Sequence, residues 1–166
     1  IVVNDTCESS VPGVYAVGDV NGGPQFTYIS LDDFRIVFDA LTGNGQYTLK
    51  DRKNIPYTTF LTPPLARVGL TEEDAINKGY TVKTKEMLVA TMPRAHVNDY
   101  LKGAFKIVVD AENNLILGAT LYSQGAEELI NLIKMAMDNN IPYTYFKNQI
   151  FTHPTMAENL NDLCNF

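Results

Sequence analysis

The apolar positions fall into two differently patterned stretches. In the first, the Pro-Gly turn of "VPGVYAVGDV" is followed by a short apolar run, Val14 to Val17, which predicts a strand closing at Gly18-Asp19. "NGG" at 21–23 reads as a turn, and Pro24 suits the first turn of a helix. Residues 25–41 then place Phe26, Ile29, Phe34, Val37, Phe38 and Leu41 at helical spacing, which predicts one apolar helix face. "TGNGQ" at 42–46 stops that helix, and "KDRKN" continues as a polar linker.

The second stretch opens at Ile55. "IPYTTFLTPPLARVGLT" predicts two strands around a Pro-Pro break. Thr71 followed by Glu72, Glu73 and Asp74 is a helix start, with a hydroxyl cap and acidic residues at the positive end of the dipole; that helix ends at Gly79. "TVKTKEMLVA" reads as a strand. In "AFKIVVDAENNLILGATLY" two apolar runs flank the turn "AENN", which predicts a β-hairpin. "GAEELINLIKMAMDNN" is an amphipathic helix with Leu129, Ile130, Ile133 and Met137 on one broad face, ended by Asn139, Asn140 and Pro142. Strands followed by helices argue for an α+β domain, an antiparallel sheet flanked by helices. The expected organisation is therefore 1–45, a linker at 46–54, and a domain at 55–166.

Composition narrows the class. Hydrophobic residues make up 45% and charged residues 19% of the 166, an ordinary globular balance. A net charge of −6 with no basic stripe argues against a nucleic-acid partner, and no apolar run has the length of a membrane span. Cys7 and Cys164 are far apart and fit neither a disulfide framework nor a zinc site, so no metal is expected and a reducing, cytoplasmic setting is. The opening "IVVND" lacks an initiator methionine, and the chain is expected to be a piece of a longer protein.

Two places carry candidate chemistry. Gly18-Asp19 puts an acidic residue at a strand end beside glycines and a helix start, where α/β folds bind ligands; it also reads as a plain strand-to-helix turn. "FTHPTMAENL" holds His153 and Glu158. Thr155 and Glu158 fit a capping box, which is a common helix start. An imidazole that trades protons near neutrality, oriented by a carboxylate, also fits an acid–base pair, but residue chemistry alone favours the cap. His96 reads as an exposed polar residue, Cys164 as a bystander, Glu127-Glu128 as a solvated face or first turn, and Tyr143 and Tyr145 as packing groups.

Taken together, three segments resemble the pyridine-nucleotide-dependent, FAD-containing disulfide oxidoreductases, the family of dihydrolipoamide dehydrogenase, glutathione reductase and mercuric reductase. "TCESSVPGVYAVGDV" is similar to the second FAD-binding motif, "FLTPPLARVGLTEEDA" to the entry of the C-terminal dimerisation (interface) domain, and "FTHPTMAENL" to the His-Pro-Thr-x-x-Glu active-site element. The resemblance implies that 1–45 is the strand–turn–helix end of an FAD-binding domain, with Asp19 bonding the ribityl chain of FAD and Gly18 beside it. It implies that His153 is the acid–base catalyst, that Glu158 orients it, and that the pair acts on the redox disulfide of the other subunit of a homodimer. FAD and NAD(P)H are the cofactors implied for the full-length enzyme. No G-x-G-x-x-G and no closely spaced cysteine pair occurs, so these residues alone are expected neither to retain FAD nor to turn over. Phe151-Thr152 before His153, the single Cys164 and the bulky helix "QFTYISLDDFRIVFDAL" look most like the bacterial flavoproteins of reactive-chlorine and metal-stress defence, with a small-molecule, disulfide or metal-ion electron acceptor. The alternative is a non-catalytic binding or assembly module that keeps the interface fold.

Overall fold

The hairpin expected around residues 111–114 organises the larger of two units. A computed structural model describes all 166 residues, which divide into Ile1–Lys53 and Asn54–Phe166.

In the larger unit, strands β1 (Tyr57–Thr59), β2 (Leu65–Gly69), β3 (Val82–Leu88), β4 (Ala104–Asp110) and β5 (Ile116–Tyr122) form one antiparallel sheet in the order β1-β2-β5-β4-β3. The apolar runs of β4 and β5 pair locally through the turn, with Phe105 opposite Leu121 and Ile107 opposite Ala119. β2 crosses over to pair with the far side of β5. That approach is closest at Gly118, where an added Cβ would lie 2.1 Å from the Leu70 carbonyl oxygen. The fold is thus α+β with an antiparallel sheet, as the strand-then-helix order implies.

Five helices complete this unit: α2 (Glu72–Asn77), α3 (Pro93–Val97), α4 (Ala126–Asp138), α5 (Tyr143–Asn148) and α6 (Asn159–Leu163). α2 starts where expected, with Asp74 N–H donating to the Thr71 hydroxyl at 3.0 Å and the Asp74 carboxylate returning to the Thr71 N–H. α4 packs on β5 and β2, and α6 on β3 and β4. Leu129, Ile130 and Ile133 of α4 meet Phe105, Ile107 and Leu121 of the sheet and Leu160 and Leu163 of α6 in one buried core. Each such side chain contributes roughly 1.5–3 kcal/mol on burial, so the core fixes where α6 sits. Met137, expected on the α4 core face, is only partly buried; Ala136 takes that place. α3 went unrecognised in the sequence because its five residues carry no helical period, only Pro93 at its first turn.

The smaller unit departs from expectation in two ways. The segment Val14 to Val17 makes only an isolated bridge, Tyr15 to Glu8, in place of a strand. Its pairing is spent on a tight loop, with Ser9 N–H donating to Val14 O at 2.8 Å and Ala16 N–H to Cys7 O at 3.0 Å, before the chain turns at Gly18. Helix α1 (Thr27–Thr42) forms, yet its buried residues are Ile29, Asp33 and Ile36, while Phe34, Phe38 and Leu41 are exposed in this chain. α1 is apolar on most sides, so periodicity could not select the inward face; the hydrogen bonds of Asp33 do. No helix is long and apolar enough to cross a membrane.

Candidate functional site

His153 sits in an irregular segment between α5 and α6, followed by a cis peptide bond to Pro154. That segment is braced from both sides. The Asn161 amide donates to the carbonyls of Phe146 at 2.6 Å and Gln149 at 2.9 Å, tying α6 to the end of α5. The Lys85 ammonium, reaching from β3, donates to the carbonyls of Asp162 at 2.7 Å and Asn165 at 2.6 Å, which satisfies the far end of α6. Leu160 and Leu163 are fully buried beneath.

Within this frame Glu158 makes both bonds that the sequence left as alternatives. Its Oε1 accepts from the Thr155 N–H at 3.1 Å, and the Thr155 hydroxyl accepts from the Glu158 N–H at 3.2 Å. Its Oε2 lies 2.7 Å from Nδ1 of His153. A carboxylate has two oxygens, and each serves one partner. The box closes on a turn rather than on the helix itself, because α6 begins only at Asn159. The glutamate is largely shielded, at 18% exposure, while the imidazole is 68% exposed with Nε2 unpartnered. A neutral ring that donates from Nδ1 to a carboxylate presents a bare, basic Nε2 outward.

Gly18 and Asp19 lie on a 3-10 turn, Gly18–Asn21. Gly18 has φ +73°, and a Cβ there would lie 2.5 Å from the Ser30 hydroxyl oxygen, so only glycine lets the turn rest on α1. Beneath the turn is a charged group that the sequence reading missed. Asp33, fully buried, accepts from the Gly18 N–H at 2.7 Å, the Asn21 amide at 2.8 Å and Arg52 at 2.5 Å. Arg52 also donates to Asp32 at 2.7 Å, and Asp32 accepts from the Tyr47 hydroxyl at 2.8 Å. Burial opposes the charge on Arg52, but the bonds from Asp33 and Asp32 outweigh it and raise its pKa. The stretch read as a polar linker thus carries the cation of this group. The available signal was Asp33 itself, a carboxylate at helical spacing from Ile29 and Ile36. Asp19 itself is exposed and bonds no other side chain, so its carboxylate is available to hydroxyl donors such as those of a ribityl chain. That single acceptor fits one contact of a flavin, not its whole binding surface.

His96 is exposed, its Nε2 2.8 Å from the Ala90 carbonyl oxygen. Cys7 and Cys164 are free and buried, and burial pushes their thiols up to about 11 and about 12. Tyr143 is buried with its ring edge-on to Phe166, and Tyr145 is exposed. Glu127 and Glu128 occupy the first turn of α4. No group of three or more His, Cys, Asp or Glu residues is arranged to hold a metal ion.

Comparison with known proteins agrees with this architecture. Residues 55–164 match the family described as pyridine nucleotide-disulphide oxidoreductase, dimerisation domain. The probable pyridine nucleotide-disulfide oxidoreductase RclA of Escherichia coli (strain K12) is 48% identical over 98% of this chain and 37% of its own length. A mercuric reductase of Lysinibacillus sphaericus is 38% identical over 96% of this chain and 29% of its own length. The solved structure of the HOCl-induced flavoprotein disulfide reductase RclA from Escherichia coli superposes with a TM-score of 0.96 at 48% identity, covering 98% of this chain and 38% of that one. The chain therefore spans roughly a third of the length of the curated relatives it matches.

Proposed function

Because the chain belongs to the pyridine nucleotide-disulphide oxidoreductase family through its dimerisation domain, we propose that it is the subunit-pairing part of an NAD(P)H-dependent FAD flavoprotein disulfide oxidoreductase. The reading rests on one observation: the largely shielded carboxylate of Glu158 holds Nδ1 of an exposed His153 at 2.7 Å and leaves Nε2 facing outward. Nothing in the fold of the domain needs the ring in that place, since the cap is closed by the other oxygen of Glu158.

In this role the chain pairs with a second copy, and His153 serves the redox disulfide of the partner subunit. FAD, when bound, carries two electrons from the nicotinamide to that disulfide, with Asp19 bonding its ribityl hydroxyls. Nε2 takes the proton from an attacking thiol, and the thiolate so formed bonds to one sulfur of a disulfide as the old S–S bond breaks and the other sulfur leaves as a thiolate. Glu158 stabilises the resulting imidazolium, and the proton returns to a sulfur in the reverse half of the exchange. The similarity to an HOCl-induced reductase supports placing the full-length protein among the reactive-chlorine and metal-stress flavoproteins. A small-molecule, disulfide or metal-ion acceptor suits that group, and two unpaired cysteines suit a reducing cytoplasm. One charged hydrogen bond contributes only about 1.5–3 kcal/mol, so these 166 residues alone are expected to bind no FAD.

The deciding experiment is His153→Ala in the full-length protein, assayed with a disulfide or dithiol substrate and with a one-electron acceptor. Disulfide turnover is expected to fall by about 10²–10⁴ with flavin content unchanged. Full turnover with the disulfide would refute the acid–base role and favour the assembly-module reading.

A further inference from the structure

The geometry points to Asp33, locked by Arg52, as the residue that positions the Gly18–Asn21 turn against the flavin. This rests on the proposed flavin role of Asp19. A single oxygen of Asp33, Oδ2, accepts from both ends of the turn: the Gly18 N–H at 2.7 Å and the Asn21 amide at 2.8 Å. Asp19 lies between those two anchors with no side-chain bond of its own, so the backbone alone sets its direction. The other oxygen, Oδ1, is held by Arg52 at 2.5 Å, and Arg52 is fixed in turn by Asp32. The Asn21 side chain extends the grip forward, its Oδ1 accepting from the Gly23 N–H at 3.0 Å.

A charge placed here asks for a reason. Asp33 is fully buried in a helix whose neighbouring inward residues, Ile29 and Ile36, are apolar. Apolar residues of similar volume commonly replace a buried ion pair without loss of stability. What they cannot supply is an acceptor for two donors of a turn and a fixed cation behind it. Those properties direct the turn in addition to selecting the inward face of α1. Asp19, which would hold the flavin, would then be oriented through its turn rather than by a bond of its own, which makes Asp33 and Arg52 positioning residues.

The test uses the full-length protein, stripped of flavin and titrated with FAD, with the melting temperature of the apoprotein recorded in parallel. Asn21→Ala removes the bond to Asp33, together with those to the Ala16 carbonyl and the Gly23 N–H, from a half-buried side chain and is expected to weaken FAD binding by at least about two- to twelvefold, the range of one net hydrogen bond, with the apoprotein still melting cooperatively. Asp33→Asn cannot face both the turn and Arg52 with an acceptor and is expected to weaken binding at least about tenfold. In an Asp19→Ala background the Asn21→Ala loss is expected to shrink, which a purely structural clamp would not produce. Asn21→Ala binding FAD as tightly as the unaltered protein overturns the proposal, even if Asp33→Asn fails to fold. Asp19→Ala binding FAD normally would instead remove the flavin role of Asp19. The clamp would then stand only if Asn21→Ala still weakened FAD binding.

Discussion

Replacing Glu158 by glutamine separates the two bonds of its carboxylate. Oε1 on the Thr155 N–H, at 3.1 Å, is the structural bond; Oε2 on His153 Nδ1, at 2.7 Å, is the chemical one. Glutamine is accepted in capping boxes, so its amide oxygen keeps the Thr155 contact. Its NH2 then occupies the place of Oε2 and donates to Nδ1, which must be bare. The ring proton moves to Nε2, and the outward nitrogen can no longer accept a proton from a thiol. Because the imidazole is 68% exposed, losing its carboxylate contact should cost stability no more than about 1 kcal/mol. Thr155→Ala removes the cap and should cost about 0.5–2 kcal/mol while sparing the ring contact. Nitrogen-15 shifts of the labelled imidazole report the tautomer, denaturant melts the stability, and disulfide turnover of the full-length protein the chemistry. Glu158→Gln should lower turnover by about 10²–10⁴ and Thr155→Ala much less. A ring still protonated on Nδ1 in Glu158→Gln, or unchanged turnover with the tautomer inverted, would refute the reasoning.

Three further outcomes follow from the packing. Gly118→Ala places a Cβ 2.1 Å from the Leu70 carbonyl oxygen and should destabilise the sheet by about 1–3 kcal/mol or more; a denaturation midpoint equal to the parent's would show that β2 and β5 can part there. Burial holds the Cys7 and Cys164 thiols near about 11 and about 12, so neither should react with a disulfide reagent at pH 8 until denaturant is added. Rapid labelling of the folded chain at that pH would contradict their burial. Residues 54–166, produced alone, should scatter light as a dimer, since Ile150, Phe60, Met135 and Tyr145 stand exposed on this unit; a monomer at high concentration would count against pairing through it.

The sequence was legible wherever one local rule governed. The hairpin, the Thr71 cap and the inward face of α4 follow from alternation, capping chemistry and helical period, and each is present. It was not legible where partners lie far apart in the chain. The period of α1 offered several apolar faces, and its inward one is chosen by Asp33 through Arg52, nineteen positions on. The failed strand at Val14 to Val17 shows the same limit, since a strand depends on a neighbour that its own residues do not specify. At His153 and Glu158 the two readings were posed as rivals because sequence spacing cannot divide a carboxylate into its oxygens. The geometry gives one oxygen to each.

The strand order has a kinetic consequence. β4 and β5 meet across a short turn, whereas β2 reaches β5 only after a loop holding α2, β3, α3 and β4. Closing that loop, roughly tenfold longer than the hairpin turn, costs about 2 kcal/mol more chain entropy. We therefore expect the β3–β4–β5 meander to form the folding nucleus, and β1–β2 to dock after the rate-limiting barrier. Truncations in β4, such as Ile107→Val, should chiefly slow folding, and Val68→Ala in β2 should chiefly speed unfolding. The reverse pattern in stopped-flow kinetics would show that the long loop closes first. On this ordering the central strand waits with one side unpaired, so the late-docking β2 also caps the edge at which two half-folded chains would otherwise join.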